Sequence, residues 1–238
     1  MRGSVKRMIA RAARTTPGKH LLHAATRSDV EAERFSEVLR WPSAVEGFED
    51  LAFLFTSSQL NHGVASLRFD EAAFLYKLVS GLGKARIAEI GRFKGGSTFV
   101  CATAMAEGST LHSYDLHVGG VDGAALDREL SSALGRYGLL ENVHLVVGDS
   151  RSVALPADPL DLLFIDGDHS FDGVVADIER WSPLVRPGGH LVFHDAVDTG
   201  GYGTTYPDVQ RAVAQMLGRS GFERREGAGT MAHLVRST

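Results

Sequence analysis

Apolar positions along the chain fall into two textures. Residues 28–78 carry them at helical spacing, in segments broken at Trp41-Pro42 and around Asn61-His62-Gly63. Within that region Phe69–Val79 sets Phe69, Ala72, Ala73, Tyr76 and Val79 on one face, which predicts an amphipathic helix. After Gly81-Leu82-Gly83 short apolar runs alternate with helical patterns, the signature of βα units and a parallel sheet. The predicted strands are Arg86–Ile90, Thr110–Tyr114, Val143–Val147, Leu160–Ile165, His190–Phe193, Phe222–Arg225 and Ala232–Val235. Helical stretches at Ser97–Ala106, Gly123–Leu134, Gly173–Trp181 and Asp208–Leu217 separate most of them. The last two runs are joined only by a short Gly-Ala-Gly segment, too short for a crossover helix, so they should pair antiparallel. The expectation is an α/β fold whose doubly wound sheet ends in a hairpin.

Composition narrows the class further. With 44% hydrophobic and 23% charged residues among 238, wholesale disorder, a collagen-like fibre and a coiled coil are excluded. No run of about eighteen apolar residues is present, so no membrane span is expected. A single cysteine, Cys101, excludes a disulfide framework and any multi-cysteine metal site, and a cytoplasmic enzyme is the expectation. The net charge of −4 conceals an asymmetry: Met1 to Ser28 holds seven basic residues and no acid, which leaves −11 on the remainder. We read the arm as a surface helix or frayed end. It lacks the apolar stretch of a secretory signal, and the acidic body argues against nucleic acid as its partner.

Chemistry concentrates at the carboxyl ends of the predicted strands. Glu89-Ile90-Gly91-Arg92-Phe93-Lys94-Gly95-Gly96-Ser97 ends the first strand and opens a helix, with glycines that let backbone approach a ligand. Its Gly-x-x-x-Gly-Gly spacing is not the Gly-x-Gly-x-x-Gly of dinucleotide enzymes, which argues against an NAD-dependent oxidoreductase. Asp115 ends the second strand, where an acid can accept both hydrogen bonds of a ribose diol. Gly148-Asp149-Ser150 ends the third, with polar side chains able to read an adenine edge. Three such strand ends describe one crevice along the sheet.

These segments, together with Phe164-Ile165-Asp166-Gly167-Asp168-His169-Ser170 and His194-Asp195, resemble the class I S-adenosylmethionine-dependent methyltransferases. The branch they are most similar to is that of small-molecule and sugar O-methyltransferases. The resemblance covers roughly residues 68–238, which we take as the cofactor-binding domain, with 1–67 as an N-terminal helical cap or arm. It implies a seven-stranded sheet of order 3-2-1-4-5-7-6. It also implies S-adenosylmethionine as cofactor, held by Glu89, Gly91, Gly95, Ser97, Asp115 and Asp166, with Asp149 and Ser150 near adenine.

The two acidic segments belong to adjacent strands, under about 5 Å apart, and can converge. Carboxylates facing each other repel unless a cation or proton lies among them, and a hard dication such as Mg²⁺ answers that while keeping positions for substrate hydroxyls. By resemblance to metal-dependent sugar O-methyltransferases, Asp166 and Asp195 are the metal ligands and Asp168 is the leading base. This chain has His194-Asp195 where those enzymes show two acids, so the third ligand is His194, Asp198 or water. His169 is the competing base, since imidazole suits proton transfer near neutral pH. Asp168-His169-Ser170 also has the composition of a helix cap. Cys101 falls on an apolar helix face, and the Asp198–Tyr206 loop and His62 are read as a substrate loop and a turn. The expected activity is O-methylation of a sugar or oligosaccharide hydroxyl, with a homodimer as the expected assembly. A catechol-type acceptor and a non-catalytic S-adenosylmethionine-binding regulator are the alternatives.

Overall fold

The computed structural model describes residues 34–38, 41–55, 63–117, 122–200, 206–217 and 221–238. Five α-helices and seven strands are described: α1 (Phe69–Ser80), β1 (Arg86–Ile90), α2 (Gly96–Ala104), β2 (Thr110–Asp115), α3 (Gly123–Arg136), β3 (Val143–Val147), β4 (Leu160–Ile165), α4 (Phe171–Trp181), β5 (Val185–Phe193), α5 (Pro207–Leu217), β6 (Phe222–Arg225) and β7 (Ala232–Arg236). The strands form one sheet in the order β3-β2-β1-β4-β5-β7-β6. The pairs among β1 to β5 are parallel, and β7 is antiparallel to both β5 and β6, as the short terminal connection requires.

The central strands are buried on both faces, and this is why they read as near-continuous apolar runs: Ile87, Ala88, Leu162, Leu163, Phe164, Leu191 and Val192 have no accessible surface. Two cores flank the sheet. On one face α1, α2 and α3 pack Leu75, Phe99, Leu130 and Leu134 against Ile87 and Leu111. On the other α4 and α5 pack Ile178, Trp181, Val213 and Met216 against Leu163 and Phe193.

Two differences from the sequence reading stand out. Described residues ahead of α1 form 3₁₀ turns at Phe35–Glu37 and Phe48–Leu54 instead of α-helices. Leu51, Phe53 and Leu54 are an apolar patch too short to support a long helical stripe, and Asp50 closes the turn by accepting from the amides of Glu46 and Gly47 at 2.9 and 3.1 Å. The fifth strand begins at Val185, ahead of the predicted His190. Its register shifts against β4 between Leu160 and Leu162, with Gly188 at φ +72°, so Pro187-Gly188-Gly189 is absorbed as an irregularity within the strand. The basic arm and His62 lie outside the described residues, as does most of the Asp198–Tyr206 loop. Among the described residues no helix is long and apolar enough to cross a membrane.

Candidate active site

Parallel pairing brings three strand ends together. Gly91 N donates to Tyr114 O at 2.9 Å, Asp166 N to Ile90 O at 2.7 Å and His194 N to Ile165 O at 3.0 Å, so the residues leaving β1, β4 and β5 start level with one another. A crevice of about 740 Å³ opens along this edge. It reaches from the glycine loop and Asp115 to Asp149, Ser150 and Asp177, and on to Asp166, His169, His194 and Asp195.

The glycine loop is held rigidly. Gly91 has φ +89°, and a Cβ there would lie 2.0 Å from the carbonyl oxygen of Asp166. Asp115 Oδ2 accepts from the amides of Arg92 and Phe93 at 2.9 and 2.7 Å, and its Oδ1 from the amide of His117 at 2.7 Å. Phe93, His117 and Asp195 are the non-glycine residues with positive φ among those described, and all three lie at this edge of the sheet. Such backbone persists where its surroundings over-determine it, and the Asp115 carboxylate fixes two of the three. Arg92 reaches away from the crevice, where it forks onto Asp127 at 2.9 Å and caps Ser113 O at 2.5 Å.

Of the predicted cofactor residues, Gly91, Ser97, Asp115, Asp149, Ser150 and Asp166 line the crevice. Glu89 does not: it is fully buried beneath the loop, accepting from the hydroxyls of Ser97, Thr98 and Ser113, and burial pushes its carboxyl pKa up. Gly95, at φ +88°, turns the chain into α2 with Leu130 packed where a Cβ would point. Both support the loop from behind. Asp149 is forked by Arg151, which holds its carboxyl down at about 2. Ser150 Oγ donates to Asp177 at 2.5 Å, and burial raises the Asp177 carboxyl to about 6 despite that bond.

At the far end four side chains meet. His194 Nδ1 lies 3.1 Å from Asp166 Oδ1 and 3.3 Å from Asp195 Oδ2, while His169 Nε2 lies 3.3 Å from Asp195 Oδ2 and 3.7 Å from Asp166 Oδ1. Behind them His194 Nε2 meets Glu71 Oε2 at 3.1 Å. Glu71, on α1, is buried; it also accepts from the amides of Arg68 and Thr230 and from the Thr230 hydroxyl. Burial pushes the Glu71 carboxyl up, but His194 and these amides outweigh it and bring it to about 2. Burial alone would lower the His194 pKa; the carboxylates on both sides raise it instead. Asp166 and Asp195 raise the imidazole of His169 to about 9. Burial opposes ionisation of Asp195, and the two imidazoles pull its carboxyl down.

Asp168, the leading base on sequence grounds, does not join this group. It is exposed, its Oδ1 accepts the Ser170 amide at 2.8 Å, and its Oδ2 lies over Gly173, so it serves the start of α4, where Ser170 Oγ accepts from Gly173 N. His169 takes the inward position. Its ring stacks on Tyr206, centroids 4.2 Å apart at 24°, and its Nε2 is sealed from solvent without a hydrogen bond of acceptable geometry among the described residues. Asp166, His169 and Asp195 can each offer one ligand atom within 4.8 Å of the others. This orphaned nitrogen beside two carboxylates is an arrangement that a bound dication and an acceptor hydroxyl together would satisfy, so the residues fit a metal. Glu71 escaped the sequence reading: it sits in the first turn of an amphipathic helix, where an acid is expected for the helix alone.

Comparison with known proteins agrees with this geometry. Residues 88–196 match a family model described as a methyltransferase domain. An uncharacterized protein, R132, of Acanthamoeba polyphaga mimivirus is 37% identical over 57 residues, 24% of this chain, and the match spans about a quarter (26%) of that relative's length. Among solved structures, SAH-bound methyltransferase PaMTH1 of Podospora anserina superposes with a TM-score of 0.62 at 12% identity, covering 94% of this chain and 97% of its own. The O-methyltransferase TomG of Streptomyces achromogenes, solved with SAM, gives 0.56 at 20% identity over 91% and 95% of the two chains. A TDP-rhamnose 3'-O-methyltransferase, CalS11, of calicheamicin biosynthesis gives 0.53 at 18% identity over 69% and 76%. Residues 88–196 thus match a methyltransferase-domain model, and the sheet order and superpositions give the chain the fold of the class I methyltransferases.

Proposed function

We propose that the protein is an S-adenosylmethionine-dependent O-methyltransferase acting on one of two neighbouring hydroxyls of a sugar or oligosaccharide. The observation that carries this is the convergence of Asp166, His169, His194 and Asp195 in the same crevice as the glycine loop and Asp115. The cofactor would lie along the strand ends, its ribose diol on Asp115, its adenine by Asp149 and Ser150, and its methionine portion against Gly91 and Ser97.

Asp166 and Asp195 are the residues that would hold a divalent cation, with His194 as the third ligand. When bound, the cation supplies Lewis-acid polarisation of an acceptor hydroxyl and positions a second one beside it. The chain's own contribution to proton transfer is His169. Asp166 and Asp195 keep His169 protonated below about pH 9. Its Nε2 would therefore receive the hydroxyl proton once a cation takes up the charge of those carboxylates, and Asp195 Oδ2, at 3.3 Å, would stabilise the imidazolium that results. The acceptor oxygen forms its bond to the methyl carbon as the carbon–sulfur bond breaks, and the electron pair stays on sulfur. The stack on Tyr206 fixes the plane of the base.

The sugar is supported by the vicinal-diol requirement and by the likeness to the rhamnose methyltransferase fold. A catechol-type acceptor is favoured by a different observation: Phe93 and Leu116, both on the crevice wall, are about half exposed and offer apolar surface to a flat ring. Residues 1–67 would form a cap or arm, of which Val64, Ser66 and Leu67 line the crevice, and a homodimer and cytoplasmic location remain part of the same proposal.

Calorimetry and turnover test the reading together. S-adenosylmethionine should bind wild type, Asp166→Asn and Asp195→Asn alike, and both variants should lose methyl transfer. NADH binding in place of S-adenosylmethionine, or full turnover by either variant, would contradict it.

A further inference from the structure

We infer that Glu71 and His194 give this site a nitrogen ligand held by an outer carboxylate, so that it selects a first-row transition-metal dication over Mg²⁺. The inference rests on the metal-assisted reading above and deepens it. Sugar methyltransferases of the metal-dependent kind are expected to present acids here; this chain presents an imidazole, and the fold supplies that imidazole with its own anchor.

The geometry is that of a carboxylate–histidine pair aimed at a cation. His194 turns Nε2 to Glu71 Oε2 at 3.1 Å and Nδ1 to the gap between Asp166 Oδ1 and Asp195 Oδ2, at 3.1 and 3.3 Å. Ligands roughly 2.1 Å from a shared ion, at tetrahedral or octahedral angles, lie about 3.0–3.4 Å apart, and both distances fall in that range. A metal-bound histidine donates its second ring N–H to a carboxylate, a backbone carbonyl or water, which fixes the tautomer and raises the basicity of the ligating nitrogen. Glu71 is placed for that role as well as for capping α1 and holding Thr230. Only 1% of its side chain is exposed, and Thr230 and the Arg68 amide fix both its oxygens.

His169 Nε2 also lies 3.3 and 3.7 Å from these carboxylates, but its half-buried ring has no buried acid behind it comparable to Glu71 among the described residues. Two carboxylates and one imidazole make a mixed oxygen–nitrogen set. Mg²⁺ favours all-oxygen surroundings and surrenders its water reluctantly, whereas Mn²⁺, Co²⁺ and Zn²⁺ accept imidazole readily. Glu71 also lies outside the matched methyltransferase domain, on α1, so the metal preference is contributed by an element that precedes that domain. Glu71 is in this sense a positioning residue.

The test uses the whole protein without cofactor or acceptor. Mn²⁺, Co²⁺ and Mg²⁺ are titrated by calorimetry, and Mn²⁺-loaded protein is examined by pulsed electron paramagnetic resonance for coupling to ¹⁴N. The expected result is affinity for Mn²⁺ and Co²⁺ at least about tenfold above Mg²⁺, with a nitrogen coupling that His194→Asn removes. Glu71→Gln should retain the coupling and weaken Mn²⁺ binding by about 10–100-fold. Absence of nitrogen coupling in the wild type, Mg²⁺ binding as tight as Mn²⁺, or unchanged affinity in a folded Glu71→Gln variant would each overturn the inference. The wild-type spectrum decides even if the buried variant folds poorly. Methyl transfer plays no part in these readouts, so failure of the substrate reading would be seen separately, as metal binding without turnover.

Discussion

Gly91 lies directly against the carbonyl of Asp166: a Cβ at position 91 would come within 2.0 Å of that oxygen, and the glycine sits at φ +89°. The glycine loop and the acidic centre are thereby joined through one backbone contact. Gly91→Ala meets both the strain of positive φ and a clash with backbone that cannot swing away. We expect a loss of roughly 3 kcal/mol or more in urea unfolding, together with loss of S-adenosylmethionine binding in calorimetry. An alanine variant with native stability and affinity would show that the contact is slack.

Asp115 joins the same loop from the other side. Its carboxylate holds the amides of Arg92 and Phe93 and faces the crevice, so Asp115→Ala removes the proposed ribose acceptor and loosens the turn. Charged hydrogen bonds of this kind contribute about 1.5–3 kcal/mol each, so cofactor affinity should fall at least a hundredfold. Calorimetry gives the number directly.

Asp177 makes stability depend on pH. Its carboxyl is raised from 3.8 to about 6 by burial, so between those values the native state holds a proton that the unfolded chain has released. Stability should therefore fall as pH rises through this window, by about 3 kcal/mol in all, and level off above it. Denaturant midpoints from about pH 4 to about pH 7 would reveal the slope, and Asp177→Asn should flatten it.

His169 and Asp168 separate cleanly by mutation. His169→Ala should lower kcat by about 10²–10⁴-fold with S-adenosylmethionine affinity unchanged, as expected of the proton acceptor proposed above. Asp168→Asn should cost little turnover, because its oxygens serve the start of α4. Tyr206→Ala should lower kcat by about 2–10-fold through loss of the stack.

The sheet was legible because β1, β2, β3 and β4 are short apolar runs bounded by glycine or charge, and the hairpin because a Gly-Ala-Gly connection admits no crossover. The crevice followed, since parallel strands deliver their carboxyl ends to one edge. Three things were not legible. Glu71 reaches His194 across 123 positions of sequence, from a helix whose pattern explains an acid there without it. Asp168 and His169 are adjacent acid and base candidates, and only the backbone of the turn decides which points inward. Glu89 has the motif position of a ligand contact, yet three neighbouring hydroxyls turn its carboxylate into a support for the loop.

The central claim is O-methyl transfer to a vicinal diol under the control of the acidic centre. Its most direct measurement is transfer of label from S-adenosylmethionine labelled in the methyl group to a panel of sugars and catechols, before and after chelation and dication replacement. Label is expected in an alkali-stable ether on a sugar hydroxyl, lost on chelation and restored by dication. Label on nitrogen or carbon, or transfer indifferent to the chelator, would contradict it.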